Sequence, residues 1–265
     1  MKGIIGTVCG DVIGSIYEHN PIKTKDFNLF GEYSRFTDDT VMTLAVAKWL
    51  CEDRTSKELL IRNLKNFANR YPNAGYGRSF YNWMNQESPE PYGSWANGSA
   101  MRVSPCAWVA DCLDEARSLA EMSADVTHNH PDAITGALAT CDAIYLARNG
   151  AGKDEIREHV EMNYAYNLSV SLDEIRPSYE FDVSCKGSVP ESIICFLEAG
   201  DFEDAVRNAV SLGGDADTQA AIAGSIASAY WDVPDDICSE AIYLLDEFLF
   251  NVLTDFEDRF MEPYI

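Results

Sequence analysis

Residues 213–218 read Gly-Gly-Asp-Ala-Asp-Thr and lie directly before a stretch of small, mostly apolar residues that extends to Trp231. The glycine pair gives the backbone the freedom for a tight turn, so two carboxylates and a threonine hydroxyl fall in the first turn of a predicted helix. The alanines and the glycine of that helix leave little side-chain bulk, which predicts that a neighbouring element packs very close to it. The segment therefore predicts a tightly packed helix that carries polar groups at its start.

A second acidic cluster, Thr-Asp-Asp-Thr at residues 37–40, precedes the apolar stretch 41–50, which predicts a buried helix. Taken alone, each cluster is typical of a helix N-terminus, where a side chain caps the helix and acids complement its dipole. Taken together, the clusters supply carboxylate and hydroxyl oxygens, a donor set that suits Mg²⁺ or Mn²⁺ and would balance the repulsion between buried acids. Asp39 and Asp215 are 176 positions apart, so only the fold can unite them. The residues alone are compatible with both capping and metal binding.

The rest of the chain is helical in pattern almost throughout. Apolar residues form one stripe over Lys57–Arg70, alanine and leucine are frequent over 132–148, and a three-to-four spacing runs over 237–252. The piece 179–183 has an extended character, but no alternating strand series accompanies it. Since the chain shows no linker and no repeat, it predicts a single all-α domain over residues 1–265.

The N-terminal segment combines regularly spaced glycines with two acids. Gly6, Gly10 and Gly14 are four positions apart and give one smooth helix face, which favours close packing against another helix. Packing does not explain Asp11 or Glu18, which lie in the same segment.

The composition limits the partners of the protein. The 265 residues carry a net charge of −23, from 43 acidic and 20 basic side chains, which opposes binding to a nucleic-acid backbone. A small phosphorylated ligand remains compatible, because a metal ion or a helix N-terminus supplies local positive potential. No stretch approaches the roughly 20 apolar residues of a membrane span, and the N-terminus does not resemble a secretory signal. The eight cysteines form no Cys-x-x-Cys pair, which indicates reduced core cysteines in a cytoplasmic protein without membrane binding.

A loop rich in small residues spans 92–103 and precedes an apolar stretch. Its backbone N–H groups are suited to a pyrophosphate, and Trp95 is suited to stacking on a base or a sugar. For this segment taken alone, an ordinary glycine-rich loop is the better explanation. His128 and His130 are further candidates for donating hydrogen bonds to phosphate.

These motifs occur together in a known family. The chain resembles the ADP-ribosylglycohydrolases, whose founding members remove ADP-ribose from dinitrogenase reductase and from other proteins. The resemblance covers nearly the whole length and rests on motifs that occur in order: Gly10-Asp11…Gly14…Tyr17-Glu18, Thr37-Asp38-Asp39-Thr40, Asn97-Gly98-Ser99-Ala100-Met101-Arg102, Thr127-His128…His130-Pro131 and Gly213-Gly214-Asp215-Ala216-Asp217-Thr218.

The resemblance implies a single compact orthogonal all-α bundle with two Mg²⁺ or Mn²⁺ ions in a central cleft. It implies that both acidic clusters supply the metal ligands, namely Thr37, Asp38, Asp39, Asp215, Asp217 and Thr218, and that Glu18 lies on a mobile loop near the metals. It assigns the diphosphate and the adenosine side of the ligand to Gly93, Ser94, Trp95, Asn97, Gly98 and His128. Ala96 stands where relatives commonly carry glycine, a departure that is expected to reshape the phosphate loop slightly.

The function expected from the resemblance is metal-dependent hydrolysis of the glycosidic bond between ADP-ribose and an acceptor, which is either a modified protein side chain or a small conjugate. Glu18 is the first choice for the general acid or base, and the metal-site residue Asp39 is the second. Some relatives are not enzymes, including a lens crystallin, so an ADP-ribose-binding or structural role is the alternative. The acidic residues are all present, which favours activity. Arginine, serine, a nucleobase and an acetyl ester all remain open as leaving groups, as do the choice of metal and the oligomeric state.

Overall fold

The long helices form close to where the sequence predicts them. The computed structural model describes residues 1–261, and the striped segment forms a helix with the predicted bounds, Lys57–Arg70. The apolar stretch lies within the helix Asp38–Asp53, and the alanine-rich stretch lies within Pro131–Arg148. The small-residue helix is Ala216–Tyr230, so Asp217 and Thr218 lie in its first turn as predicted and Asp215 is its N-cap residue. The all-α prediction is confirmed, since no strand occurs within residues 1–261.

Fifteen helices make up the described part of the chain. In order they are α1 (Ile5–Gly14), α2 (Asp38–Asp53), α3 (Lys57–Arg70), α4 (Arg78–Met84), α5 (Gly98–Met101), α6 (Ser104–Val109), α7 (Leu113–Asp125), α8 (Pro131–Arg148), α9 (Lys153–Tyr164), α10 (Leu172–Ile175), α11 (Cys185–Glu198), α12 (Phe202–Val210), α13 (Ala216–Tyr230), α14 (Asp235–Tyr243) and α15 (Glu247–Phe260).

The core is built around α13, which is buried along nearly its whole length and packs against α1, α8, α11 and α12. Its closest neighbour is α1, as the glycine spacing predicts. A Cβ atom on Gly10 would lie 2.0 Å from the carbonyl oxygen of Ala220, and one on Gly14 would lie 2.3 Å from that of Ala216. Only glycine fits at such distances, so the two backbones touch. This contact brings the acid of α1 beside the acids at the start of α13.

The three-to-four apolar spacing over 237–252 extends over more than one helix. The structure has two, α14 and α15, separated at Leu244–Asp246. Asp246 caps the second helix by accepting a hydrogen bond from the N–H group of Leu249 at 3.0 Å. A capping aspartate competes with helix continuation, because its side chain satisfies a backbone donor that an unbroken helix would bond internally.

The extended piece predicted at 179–183 forms no strand. One isolated antiparallel bridge, between Ala96 and Ser184, follows directly after it. This bridge joins the small-residue loop to the segment before α11, with a hydrogen bond from the N–H group of Asn97 to the carbonyl of Val183 at 2.8 Å.

Among the helices of residues 1–261, none has the length and apolar character that crossing a membrane requires.

The cysteines are free thiols, and most of them lie in the core as predicted. Cys112 is exposed and Cys51 is half-buried, so these two depart from the expectation of buried cysteines.

Candidate functional site

The two acidic clusters meet in the structure. The start of α2 faces the start of α13, and the hydroxyl of Thr218 donates a hydrogen bond to Oδ2 of Asp39 at 3.3 Å. Carboxylate oxygens of Asp11, Asp39 and Asp217 all lie within 4.8 Å of one another. Oxygens of Glu18, Asp215 and Asp217 form a second such group, so Asp217 belongs to both. Residues from three separate parts of the chain therefore converge on one point.

Asp11, on α1, fixes the first turn of α2. Its carboxylate accepts hydrogen bonds from the N–H groups of Thr37 at 2.9 Å and of Thr40 at 3.0 Å, and from the Thr37 hydroxyl at 2.6 Å. The Thr40 hydroxyl donates to the same carboxylate. Sequence reasoning assigns Asp11 no role. The sequence does hold a signal for such a role, namely a carboxylate within a helix of small and apolar residues. Such a helix is buried, and a buried carboxylate needs polar partners.

Thr37 is the residue that caps α2, and it accepts a hydrogen bond from the N–H group of Asp39 at 3.4 Å. Its hydroxyl is engaged by Asp11, and Thr37 does not line the cleft onto which the other predicted ligands open. The remaining five, Asp38, Asp39, Asp215, Asp217 and Thr218, all line that cleft.

Capping does not account for Asp215, which lies directly before α13. Asp215 is the N-cap residue, yet its side chain makes no capping hydrogen bond. Its Oδ2 instead accepts a hydrogen bond from Nδ2 of Asn97 at 2.7 Å. On α2, Oδ1 of Asp39 is buried and has no hydrogen-bond partner in residues 1–261. Buried carboxylate oxygens are normally paired, so this oxygen calls for a partner of another kind.

The pKa shifts of the neighbouring carboxylates indicate that this partner is a positive charge. Burial and the neighbouring Asp217 raise the pKa of Asp39 well above its usual range, and the same two causes raise the pKa of Asp38 and Asp215. Burial, again with Asp217, raises the pKa of Asp11 to about 6. A divalent cation reverses these shifts, because opposite charge favours the ionised carboxylates. The oxygen-only donor set and the unpaired oxygen of Asp39 therefore fit a hard divalent cation.

Asp38, Asp39, Asp215 and Asp217 line a cleft of about 550 Å³. Glu18 lies at the same cleft, after the end of α1, with 23% of its side chain exposed. It is the most accessible member of its carboxylate group, since Asp215 and Asp217 are buried.

The small-residue loop lines the same cleft. It contributes all the predicted binding residues of that segment: Gly93, Ser94, Trp95, Asn97 and Gly98. Within the described chain, the N–H groups of Gly93 and Asn97 are already bonded, to Oδ1 of Asn129 at 2.8 Å and to Val183. Those of Ser94, Trp95 and Gly98 donate to no group in residues 1–261. Three backbone donors of the loop are therefore without a partner in the described residues.

His128 faces this loop from a buried position. Arg102 donates to the hydroxyl oxygen of Thr127 at 2.7 Å. The Thr127 hydroxyl has two acceptors within reach, Nδ1 of His128 at 2.7 Å and the carbonyl of Ala124 at 3.5 Å, and the shorter contact favours donation to Nδ1. The ring hydrogen then lies on Nε2, the atom beside Gly98. Burial, with a smaller effect of Arg102, lowers the pKa of His128 well below its usual range, so the ring is a neutral donor. Arg102 and Thr127 are positioning residues that sequence reasoning did not identify.

His130, the other histidine candidate, does not line the cleft. It caps α8 and accepts a hydrogen bond from the N–H group of Asp132 at 3.2 Å.

The structure adds a wall that the sequence did not indicate, formed by residues 75–80, and an exposed aromatic side chain at the cleft, Phe181.

Fold and site together define an all-α protein with a buried carboxylate centre that fits a divalent cation, set beside a loop with free backbone donors. The chain belongs to the ADP-ribosylglycohydrolase family, whose sequence profile matches residues 1–261.

Relatives of known name are similar over most of the chain. ADP-ribosylhydrolase ARH3 of Mus musculus is 25% identical over an alignment that covers 86% of this chain and 82% of that protein. ADP-ribosylarginine hydrolase Tri1 of Pseudomonas putida is also 25% identical and covers 87% of this chain and 70% of the relative. A solved structure described as an ADP-ribosylglycohydrolase-related protein complex superimposes with a TM-score of 0.74 at 23% identity, over 97% of this chain and 96% of the other. That structure establishes the likeness of fold.

Proposed function

We propose that the protein is a metal-dependent hydrolase that cleaves the glycosidic bond between ADP-ribose and an acceptor, either a modified protein side chain or a small conjugate. The proposal rests on family membership and on one observation. The hydrogen bond from Asn97 to Asp215 joins the loop with free backbone donors to the carboxylate centre inside a single cleft. A ligand with a diphosphate and a ribose diol would meet both parts at once.

The metal site is proposed to take two divalent cations, Mg²⁺ or Mn²⁺, held by residues of both helix starts: Thr37, Asp38, Asp39, Asp215, Asp217 and Thr218. When bound, such cations supply Lewis-acid stabilisation and hold oxygen ligands in a fixed orientation. Asp11 would keep Thr37 and the first turn of α2 in place, because it is bonded to both the backbone and the hydroxyl of Thr37.

The ligand's diphosphate is proposed to lie against Gly93, Ser94, Trp95, Asn97 and Gly98. Ser94, Trp95 and Gly98 would donate backbone hydrogen bonds, and Nε2 of His128 would add a neutral donor. Half of the Trp95 side chain is exposed, which leaves its ring face free to stack on the adenosine side of the ligand.

Glu18 is proposed as the general acid or base of the reaction. It lines the cleft with part of its carboxylate exposed, so it can exchange a proton with a water molecule or a leaving group. Asp39 is the alternative, but its carboxylate is buried and one oxygen already accepts from Thr218. An oxocarbenium-like transition state would gain further stabilisation from the surrounding carboxylates.

The test is a panel of ADP-ribosylated substrates that differ in the acceptor: arginine, serine, a nucleobase and an acetyl ester, each with Mg²⁺, with Mn²⁺ and with a chelator. We expect metal-dependent release of ADP-ribose from at least one of them. Calorimetric titration with ADP-ribose separates the alternative function. Tight binding without release from any substrate would contradict hydrolysis and support a non-catalytic ADP-ribose-binding relative.

A further inference from the structure

One wall of the cleft, residues 75–80, is tied to the carboxylate centre. The N–H group of Asp38 donates to the carbonyl of Ala74 at 3.0 Å. Gly75 has a positive φ of 125° and lies so close that a Cβ atom there would be 2.8 Å from Oδ1 of Asp38. The loop is therefore fixed relative to the site, and the residues that follow Gly75 are carried to the edge of the cleft.

Arg78 is the cationic side chain of this wall. It is exposed, lines the cleft, and makes no hydrogen bond or ion pair with any residue of the described chain. The other arginine at the cleft, Arg102, is buried and already donates to the carbonyl of Ser123 and to Thr127. The neutral ring of His128 carries no charge. Arg78 is therefore the free positive charge of the cleft within residues 1–261.

A cationic side chain in the cleft suits the charge of the proposed ligand. A diphosphate carries two negative charges, whereas the loop that faces it supplies only uncharged N–H groups, from Ser94, Trp95 and Gly98. The cleft also contains five carboxylates, Glu18, Asp38, Asp39, Asp215 and Asp217, whose field opposes an anion. Metal ions offset that field at the carboxylate centre, but a guanidinium binds phosphate oxygens in a bidentate, charge-assisted manner that backbone amides cannot match.

We propose that Arg78, in the wall 75–80, binds the diphosphate of the ligand together with the loop 93–98, which lines the same cleft. The proposal rests on the proposed function, because it takes ADP-ribose as the ligand. Both walls line the same cleft of about 550 Å³, so a ligand of nucleotide-sugar size contacts both. The diphosphate is then held both by the uncharged donors of the loop and by the guanidinium of Arg78.

The experiment is calorimetric titration of ADP-ribose into the Mn²⁺-loaded protein, as wild type and as Arg78→Ala, Arg78→Lys and Arg62→Ala. Arg62 is the matched control, since it is exposed on α3, outside the cleft, and also without a partner in the described residues. We expect Arg78→Ala to raise the Kd about 10- to 100-fold, Arg78→Lys to raise it less, and Arg62→Ala to leave it unchanged. The affinity of the wild type should also fall with added NaCl more steeply than that of Arg78→Ala.

A Kd for Arg78→Ala within twofold of the wild type would overturn the proposal. If that variant instead changes kcat/KM in a way that depends on the acceptor, Arg78 contacts the acceptor and not the diphosphate. Failure of the proposed function gives a different result. Wild-type binding of ADP-ribose with no release from any conjugate would leave the role of Arg78 intact and contradict hydrolysis, whereas no binding by the wild type would contradict both.

Discussion

Asn97 donates a hydrogen bond from Nδ2 to Oδ2 of Asp215 at 2.7 Å, across 118 positions of sequence. Asn97 belongs to the loop proposed for the diphosphate, and Asp215 belongs to the carboxylate centre. The same amide also donates to the hydroxyl of Ser188 on α11 at 3.3 Å. One side chain therefore fixes the spacing between the part of the cleft that would hold phosphate and the part that would hold metal.

The first prediction concerns this link. Replacing Asn97 by alanine leaves a buried carboxylate oxygen without its donor, which costs about 1–3 kcal/mol. We expect Asn97→Ala to weaken both Mn²⁺ and ADP-ribose binding by about tenfold or more, as measured by calorimetry. Asn163→Ala is the control, because Asn163 is exposed on α9 and donates only to a carbonyl of its own helix. Loss of ADP-ribose binding with unchanged Mn²⁺ affinity would contradict the linking role.

Asp11→Asn tests whether the carboxylate of α1 organises the site. Asparagine has an NH₂ group in place of one carboxylate oxygen, and an NH₂ group cannot accept hydrogen bonds. The variant therefore loses an acceptor for the groups of Thr37 or Thr40 that donate to Asp11. We expect a free energy of unfolding lower by about 1–3 kcal/mol and Mn²⁺ affinity lower by at least about tenfold. Urea denaturation and metal titration give the two values. Asp255→Asn serves as the control and should change neither, since Asp255 is exposed on α15 and makes no hydrogen bond or ion pair with the described residues. An Asp11→Asn protein that binds metal as the wild type does would contradict the assignment.

Gly10→Ala tests the packing of α1 on α13. The added methyl group would lie 2.0 Å from the carbonyl oxygen of Ala220 and 2.7 Å from the N atom of Ala221, and backbone atoms cannot move aside as a flexible side chain does. We expect destabilisation by about 3 kcal/mol, seen as a lower midpoint in thermal unfolding. Gly200→Ala is the matched control, since Gly200 is exposed and a Cβ atom there would meet only Oδ2 of Asp204, at an ordinary contact distance of 3.9 Å. It should change stability by no more than about 0.5 kcal/mol. Equal midpoints for the two variants would refute the close contact.

Glu257 gives a prediction of pH dependence away from the cleft. Burial raises its pKa from 4.5 to about 7, although its carboxylate accepts a hydrogen bond from the N–H group of Ile5 at 3.0 Å. The folded protein therefore keeps a proton that the unfolded chain loses between these values, so the contribution of Glu257 to stability falls as the pH rises through that window. Allowing for partial exposure, the loss is about 2 kcal/mol.

Glu257→Gln removes this ionisation and keeps an acceptor for Ile5. The difference in free energy of unfolding, variant minus wild type, should therefore rise by about 2 kcal/mol between pH 5 and pH 8, measured by urea denaturation at each pH. Glu240→Gln, on the exposed side of α14, provides the control. A difference that is constant with pH would show that Glu257 titrates alike in the folded and unfolded states.

The elements that could be predicted from the sequence are those with a local cause. The glycines of α1 indicate a close contact because their spacing matches a helix face. The helix that packs there, α13, is rich in small residues, as such a contact requires. The helix starts at Asp38 and Ala216 follow from polar residues that precede apolar runs. The break before α15 was missed, because a three-to-four apolar spacing persists across it and only Asp246 marks the new start.

Parts of the site escaped prediction because they depend on distant contacts. The role of Asp11 requires Thr37 and Thr40, which only the packing of α1 beside α2 supplies. Arg78 follows a Gly-Tyr-Gly sequence that indicates no more than a turn. Its place at the cleft depends on the backbone hydrogen bond from Asp38 to Ala74, which ties this segment to the start of α2. Asp215 looks like a helix cap in sequence, and its true partner, Asn97, lies far away along the chain.

The most direct test of the account is release of ADP-ribose by the double variant Asp38→Asn with Asp215→Asn, compared with the wild type on the best substrate of the acceptor panel. Both assays contain Mg²⁺ or Mn²⁺, and a chelator gives the baseline. Metal-assisted catalysis contributes several kcal/mol to transition-state stabilisation, so we expect the variant to lose at least about a hundredfold in rate and most of its metal response. Circular dichroism checks that the variant is folded, and titration with ADP-ribose checks ligand binding by its loop 93–98. Metal-dependent release at the wild-type rate from the double variant would contradict the central claim.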